Sequence, residues 1–235
     1  GGGQRMASRM DDRSELVLVV FSSDPENTHG AAICLGVAPD RMYESVDAMY
    51  EKEVDRVDGI DVVAIVTPND SHYPYAMAAL DAGLDVICDK PMTNTLEEAR
   101  VLHDKVRDTG RVFCLTHNYT GYPMVRQARS MVESGELGEI RLVQVEYVQG
   151  GKANPLERKP GAAIPWRFDP EKGGPSLVMR DIGTHAHNLV RYITGLEFSE
   201  VAAEIRTIVP DRRIHDFGQA LFHLTNGARG MFWVT

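Results

Sequence analysis

A lysine stands at a position where its ammonium group could do chemistry. Asp89-Lys90-Pro91 directly follows a short apolar run at residues 84–88, which predicts a buried strand. Open α/β sheets bind their ligands at the carboxyl ends of their strands. Pro91 disfavours helical backbone at Lys90, so we expect an extended lysine at the sheet edge, with the charge of Asp89 beside it. The alternative is a surface lysine in an ordinary strand-to-helix loop.

Asp181 and His185 are four positions apart in a segment that predicts a helix from about 181 to 193. On a helix they share one face, and a carboxylate can orient an imidazole for proton transfer near neutral pH. A helix-capping aspartate with a packed histidine is the alternative. His187 would point ~200° away from His185 at ~100° per residue. Only on a strand would Asp181, His185 and His187 suggest a metal site.

Two other loops follow predicted strands and could reach the same edge of a sheet. One lies at 22–24 and the other at 67–72, and the sheet topology brings such loops together. The polar or conformationally restricted residues that they contribute are Ser22, Ser23, Thr67, Pro68, Asn69 and His72.

Two further segments could contact an anionic ligand or wall a pocket. Arg167 could hold a phosphate or carboxylate and Trp166 could line a pocket, although a buried tryptophan beside a surface arginine is equally consistent. Gly1 and Gly3 resemble half of a phosphate-binding turn. That turn needs a preceding strand and a third glycine in the next helix, so a remnant of cloning is the alternative.

The loops that carry these candidate residues lie in two kinds of predicted structure. The first half alternates strands with helices, which predicts a doubly wound parallel α/β sheet of the Rossmann type. The second half predicts an α+β domain on an antiparallel sheet. We expect a division at 1–120 and 121–235. The predicted strands are 15–21, 61–67, 84–88 and 111–116 in the first half, and 140–148, 201–209, 217–224 and 230–235 in the second.

Composition excludes several classes of protein. The net charge of −9 disfavours a general binder of nucleic acid or of anionic membranes, because both reward a basic surface. No apolar run approaches the ~18 residues of a membrane span, and no signal peptide is visible. The three cysteines are odd in number and widely spaced, which favours a reducing cytoplasm.

Taken together, these segments resemble the Gfo/Idh/MocA oxidoreductases from about residue 15 to residue 235. The resemblance rests on Thr67-Pro68-Asn69 with His72, on Asp89-Lys90-Pro91 (the family usually has Glu before the lysine), and on Asp181 with His185. It implies an NAD- or NADP-dependent dehydrogenase that acts on a hydroxyl or carbonyl carbon of a sugar, cyclitol or related compound. It also implies a homo-oligomer (a dimer or tetramer) and a second domain with an open, mainly antiparallel sheet. From the acidic net charge we expect no nucleic-acid partner and no membrane partner.

The resemblance also implies roles for individual residues. Lys90 would lie by the nicotinamide and the reacting hydroxyl, His185 would accept the proton, and Asp181 would bind the substrate. Asn118 would lie near the nicotinamide end. The remaining residues that it places at the cofactor are Gly1, Gly3, Ser22, Ser23, Thr67, Pro68, Asn69, His72, Asp89, Trp166 and Arg167.

The sequence departs from the family pattern in three places. The glycine turn is incomplete, so we expect missing residues near the start. Ser22 stands where an acidic residue usually holds the ribose of NAD, which leaves the choice between NAD and NADP open. The family's sheet normally continues further, so we expect the last strand to leave an unpaired edge. A non-catalytic dinucleotide or sugar sensor and a metal-dependent hydrolase or lyase are the rival functions.

Overall fold

The computed structural model describes residues 2–10, 12–18, 20, 25–155, 157, 161 and 163–235. The chain divides into two compact units. One comprises Gly1–Val66, Tyr73–Cys88 and Arg100–Cys114; the other comprises Thr67–His72, Asp89–Ala99 and Leu115–Thr235. The second unit therefore contains two of the loops singled out in the sequence. The division at residue 120 stays a prediction.

The first sheet is parallel, as the alternation of strands and helices predicts. Its strands are β1 (Val62–Ile65), β2 (Asp85–Cys88) and β3 (Phe113–Leu115), in the order β1-β2-β3. β1 and β2 pair in parallel, and Val62 lies opposite Asp85. Val86 and Cys88 share one face of β2 and are almost completely buried, so this face of the strand is covered.

Among the described residues, five α-helices accompany this sheet. Ser45 caps the third helix through its side chain, and Thr95 and Glu98 form the predicted capping box at the fifth. None of the helices in the described part of the chain is both long and apolar enough to cross a lipid bilayer. The five are α1 (Gly2–Arg9), α2 (Pro25–Cys34), α3 (Val46–Glu53), α4 (His72–Asp81) and α5 (Leu96–Thr109).

The strand predicted at 15–21 is wrong for the residues that the structure describes. Residues 15–18 and 20 belong to no strand, although Leu16 packs against the buried Ala32 and Val37. The described apolar residues of this run are half-buried but pair with no strand. Residues that favour strands also favour burial, and a strand needs in addition a second backbone to pair with.

The second sheet is open and mainly antiparallel, as predicted. Its strands are β4 (Leu142–Tyr147), β5 (Phe198–Arg206), β6 (Phe217–Leu224) and β7 (Arg229–Val234). They lie in the order β4-β7-β6-β5. β4 and β7 are parallel, while β7–β6 and β6–β5 are antiparallel.

The final strand is not an unpaired edge, contrary to the expectation. β7 lies inside the sheet, with β4 on one side and β6 on the other. Pairing even extends beyond β7, because the main-chain N–H of Thr235 donates to Tyr147 and that of Gln149 donates to Thr235. The sequence order hides this arrangement because β7 returns between two strands that precede it.

Helices cover one face of this sheet. The helices of this unit are α6 (Pro123–Glu133), α7 (Pro170–Gly173) and α8 (Thr184–Thr194), and a π-helical turn, Met179–Gly183, leads into α8. Val178, Ile182, Ala186 and Val190 recur every four residues and pack in one buried cluster with the inner side chains of β6 and β7. The packing fixes the rotation of α8 and so the direction of its other side chains.

Candidate active site

Lys90 meets Asp181 in the second compact unit. The Lys90 Nζ donates to the Asp181 main-chain oxygen at 2.7 Å and to Oδ1 at 2.5 Å. Both side chains are mostly but not fully buried, with exposed fractions of 17% and 25%. The two residues are far apart in sequence, and their contact matches a site at the end of β2. The surface-lysine alternative does not hold.

A second lysine, which the sequence analysis missed, shares the same carboxylate. Lys152 ends a 3₁₀ turn, Gly150–Lys152, and its ammonium donates to Asp181 Oδ2. Burial alone would raise the pKa of Asp181, but the charge of Lys90 and the hydrogen bond from Lys152 outweigh it and lower the pKa to about 2. The carboxylate is therefore ionised throughout the physiological range.

Asp181 lies in the π-helical turn Met179–Gly183, where a regular α-helix was predicted. Such wide turns occur frequently at functional sites. Here the carboxylate binds lysines, so the capping alternative for Asp181 is wrong.

Arg180, the residue before Asp181, joins this turn to the segment after Lys90. Its guanidinium donates to the main-chain oxygens of Thr93 at 2.6 Å and Asn94 at 2.8 Å, and also to the Asn94 side chain. Gly174 makes room for it, because any Cβ at this position would meet the guanidinium, and its φ of +81° also favours glycine. Arg180 thus holds together the two segments that supply Lys90 and Asp181.

His185 lies one turn further along, on α8, and is buried with only 5% exposed. Its ring contacts Tyr119, with centroids 4.6 Å apart, and meets His117 edge-on at 5.6 Å. Burial first, then the charges of Lys90 and His117, lower its pKa to about 4. The imidazole is neutral at physiological pH, and its buried Nδ1 has no hydrogen-bond partner among the described residues.

His117 shares these properties and was also missed. Its Nδ1 is a second buried nitrogen that lacks a hydrogen-bond partner in the described part of the chain. Burial lowers its pKa, with His187 and Lys90 adding to the effect. Two neighbouring neutral imidazoles with unsatisfied nitrogens are unusual in the interior of a protein, and they fit a site that binds a polar ligand.

A pair of tyrosines extends the polar lining beside His185. The hydroxyl groups of Tyr119 and Tyr147 lie 2.5 Å apart, and Gln149 Nε2 donates to Tyr147 at 3.1 Å. Burial and this hydrogen bond raise the pKa of Tyr119 to about 12. The alternation in β4 could have identified Tyr147, because it follows Val143 and Val145 on the covered face.

The loop after β1 is tied to the loop after β2 through His72. This ring is 1% exposed; Nδ1 lies 2.7 Å from the Pro91 oxygen and Nε2 lies 3.0 Å from the Thr67 oxygen. The ring therefore positions Lys90 through Pro91, and its contact with a cofactor stays a prediction. Pro68 and Asn69 complete this loop, and Asn69 Nδ2 donates to the Gly173 oxygen at 3.2 Å.

The Asp89 side chain holds the main chain of Lys90 in place. Its Oδ1 accepts hydrogen bonds of 2.9 Å from the Lys90 N–H and from the Thr116 hydroxyl. The carboxylate thus fixes the backbone on which Lys90 is carried and connects the residues that follow β2 and β3.

The remaining predicted cofactor residues are not brought to Lys90 by any described contact. Asn118 is exposed in the 3₁₀ turn Asn118–Gly121. The Arg167 guanidinium lies over the ring of its neighbour Trp166, with 4.3 Å to the centroid, so the tryptophan is half-buried and the arginine is exposed. Gly3 lies in the first turn of α1, whereas Gly1, Ser22 and Ser23 fall outside the described residues.

The metal-site alternative is wrong on the backbone. Residues 181–187 are helical throughout, so His187 does not share a face with His185. Its ring lies near Phe198 instead, with centroids 4.7 Å apart. Within the described residues, no group of three or more His, Cys, Asp and Glu side chains could hold a metal ion.

Models of known protein families match both halves of the chain. A model of the oxidoreductase family with an NAD-binding Rossmann fold matches residues 2–128, and a model of the GFO/IDH/MocA C-terminal domain matches residues 125–235. The chain belongs to the Gfo/Idh/MocA oxidoreductase family.

Solved and curated relatives within the Gfo/Idh/MocA family agree. The crystal structure of an inositol dehydrogenase homolog complexed with NAD+ from Azotobacter vinelandii has a TM-score of 0.93 and 36% identity, covering 98% of this chain and 60% of that one. YfiI of Bacillus subtilis, an uncharacterized oxidoreductase, is 34% identical over 97% of this chain and 59% of its own length. Levoglucosan dehydrogenase of Pseudarthrobacter phenanthrenivorans is 32% identical over 90% of this chain and 51% of its own length. The chain thus spans between half and three fifths of these family members.

The residues present fit a dinucleotide of the kind named in the family description. Gly2 and Gly3 open α1, the first turn of that helix carries no acidic side chain, and a Cβ at Gly3 would meet no atom within 4 Å. An open helix N-terminus of this kind suits a phosphate group. In the other unit, the unsatisfied nitrogens of His117 and His185 suit a polar ligand.

Proposed function

We propose that this protein is an NAD- or NADP-dependent dehydrogenase that acts on a hydroxyl-bearing or carbonyl carbon of a sugar, cyclitol or related polyol. The observation that carries the proposal is the contact of the Lys90 ammonium with Asp181, one helical turn before the buried, neutral His185. Membership in the Gfo/Idh/MocA family and the names of the relatives support it.

Each of the three side chains has a distinct task in the proposed reaction. The ammonium of Lys90 donates a hydrogen bond to the reacting oxygen and favours its negative charge as the proton leaves. His185 is neutral, so its ring nitrogen can accept that proton. Asp181 holds the substrate and Lys90 in register, because a carboxylate with a pKa of about 2 remains charged.

A bound nicotinamide would supply the hydride acceptor for oxidation of the hydroxyl-bearing carbon and the hydride donor for the reverse reaction. We propose that Thr67, Pro68 and Asn69 lie along the cofactor. The protein then contributes alignment and exclusion of water. We propose that the segment around Ser22, which lies outside the described residues, determines whether NAD or NADP is bound.

The test is a panel of sugars, inositols and sugar acids, each assayed with NAD and with NADP by the absorbance of the reduced cofactor. We expect one class of polyol to be oxidised with one preferred cofactor. Protein that gains thermal stability from a dinucleotide but reduces it with no polyol in the panel would contradict the proposal and favour a sensor.

We also propose that the protein forms a homo-oligomer through the uncovered face of the second sheet. Across that face run Gln144, Met231, Leu221 and Ala202, one from each strand, and Leu221 is 62% exposed. Apolar side chains on an open sheet face favour a protein partner. Light scattering of the wild type and of Leu221→Glu tests this: we expect a multimer that the charge weakens, and a wild-type monomer would refute it.

We propose a cytoplasmic location for the protein. Cys34, Cys88 and Cys114 are all free thiols, which suits a reducing compartment. Cell fractionation with an antibody against the native protein would test this, and recovery from the oxidising side of a membrane would contradict it.

A further inference from the structure

We propose that Lys90, Asp181 and Lys152 together recognise a vicinal diol, and that Lys152 binds the hydroxyl group next to the reacting carbon. This inference rests on the proposed dehydrogenase function and narrows its substrate class. It also adds Lys152 to the residues that determine specificity.

The first argument is the pairing of charges on Asp181. Each carboxylate oxygen has its own ammonium group: Oδ1 binds Lys90 and Oδ2 binds Lys152. One lysine would be enough to neutralise one carboxylate, and the second leaves a positive charge in excess within this trio. Both lysine side chains are less than one fifth exposed, so water solvates the excess charge poorly.

The second argument is the match to two adjacent hydroxyl groups. A hydroxyl donates one hydrogen bond and accepts others, an ammonium only donates, and a carboxylate only accepts. The reacting hydroxyl can therefore accept from Lys90 and keep its proton for His185, while the neighbouring hydroxyl donates to Asp181 Oδ2 and accepts from Lys152. Every group in the array is then satisfied, whereas a single hydroxyl would leave one lysine without a new partner.

The third argument is the placement of Lys152 by the second sheet. Tyr147 ends β4, and Gln149 is bonded through its N–H to the Thr235 oxygen at 2.8 Å. The 3₁₀ turn that ends at Lys152 follows at once and is closed by the Ala153 N–H on the Gly150 oxygen. The ammonium is therefore carried on a short, bonded turn next to a sheet, which suits a specificity contact.

The test combines a variant with a change in the substrate. The wild type, Lys152→Met and Lys152→Arg are assayed with the best polyol of the panel and with its monodeoxy analogues. Lys172→Met removes an exposed lysine of the same unit and is the matched control. Circular dichroism and melting establish that each variant is folded.

We expect Lys152→Met to raise KM by ~10²-fold with a smaller change in kcat, because the contact is not to the reacting oxygen. In the wild type, removing the neighbouring hydroxyl from the substrate should cost ~10²-fold in kcat/KM, because hydrogen bonds to charged groups are lost. That penalty should largely disappear in Lys152→Met, since the two changes remove the same interaction. Lys152→Arg should recover part of the loss, and Lys172→Met should behave as the wild type.

A second measurement separates this inference from the proposed function. Calorimetry compares the binding of scyllo-inositol and its deoxy analogue to the wild type and to Lys152→Met, without any need for turnover. Binding that depends on Lys152 and on the hydroxyl, in protein that oxidises nothing, retains the diol site and rejects the dehydrogenase. Turnover with an undiminished deoxy penalty in Lys152→Met overturns the diol site alone. Absence of both turnover and polyol binding rejects both proposals.

Discussion

Asp181 and Asp216 are two carboxylates of the same compact unit, and cationic side chains hold both, but in different ways. Asp216 is 5% exposed; it accepts from the main-chain N–H groups of Ile208 and Val209 at 2.6 and 3.0 Å, and from Arg212 at 2.9 Å. Asp181 has a side chain that is 25% exposed, and two lysine ammonium groups hold it.

The difference lies in how readily the partners can be exchanged. Arg212 is fixed from several sides, because it also donates to Glu157 and to the Asn154 oxygen and lies over the Phe168 ring. The lysines on Asp181 are flexible point charges whose donors can turn to another acceptor. A saturated, rigid carboxylate stabilises a fold, whereas a carboxylate held by mobile donors can pass them to a ligand.

The largest effect is expected at Lys90, one of the two lysines that hold Asp181. Lys90→Met should lower kcat/KM by ~10²–10⁴-fold, because the donor to the reacting oxygen is lost. Its melting temperature should change little, since Lys152 still holds the carboxylate of Asp181. Steady-state assays with the best polyol measure this, with Lys105→Met, which breaks an ion pair with Asp81 in the other unit, as the control. Turnover near the wild-type value in Lys90→Met would remove Lys90 from the proposed chemistry.

Exchanging the two carboxylates for amides should give opposite results. Asp216→Asn leaves the buried Arg212 with an incomplete partner set and should cost about 3–5 kcal/mol in the free energy of unfolding, the range for breaking a buried ion pair. Asp181→Asn should cost much less stability but should lower turnover strongly. Urea unfolding followed by tryptophan fluorescence, alongside activity, separates them. Equal losses of stability would show that the two sites do not differ in kind.

The low pKa of His185 predicts a dependence of stability on pH. An unfolded histidine titrates near pH ~6.5. Burial and Lys90 hold the native pKa at about 4, so the unfolded chain binds the proton more readily between these values. The contribution of His185 is therefore complete above pH ~6.5 and is lost as the pH falls toward 4.

Melting temperatures of the wild type and of His185→Gln between pH 7 and pH 4.5 check this. The wild type should lose more stability across the interval than the variant does. Part of the decline should persist in the variant, because burial also lowers the pKa of His117. Parallel curves for the two proteins would contradict the low pKa of His185.

The smallest effect is expected at the tyrosine pair. Tyr119→Phe keeps the ring that contacts His185 and removes the hydroxyl that lies 2.5 Å from Tyr147. A lost neutral hydrogen bond costs about 0.5–1.5 kcal/mol, so kcat/KM should fall by about 2–10-fold. The same assay measures it, and Tyr122→Phe, at an exposed tyrosine, is the control. A loss as large as that of Lys90→Met would mean that Tyr119 takes a direct part in proton transfer.

The sequence located the residues whose position follows from local rules. Lys90 became a candidate because an apolar strand ends just before it. Asp181 and His185 became candidates because a spacing of four predicts one helical face, but the structure pairs Asp181 with the two lysines and leaves His185 Nδ1 without a described partner. β6 was predicted with its observed bounds because its alternation and the Asn226-Gly227 turn are both local signals.

Other features depend on partners that no local pattern reveals. Lys152 lies in an irregular stretch, and only the folded chain brings it to Asp181. The apolar run near Leu16 lacks a described strand because a ladder needs a second backbone. The π-helical turn at Asp181 was also out of reach, because its hydrogen bonds differ from those of an α-helix by one residue.

The central place of β7 has a consequence for biogenesis. β4 cannot pair until β7 has left the ribosome, since Leu142 lies opposite Arg229, and closing so long a segment is slow. The turn that carries Lys152 depends on the same pairing, because the Gln149 N–H just before it donates to the Thr235 oxygen. We expect nascent chains arrested before residue 229 to remain sensitive to protease between β4 and α8, and chains that expose β7 to become resistant in one step.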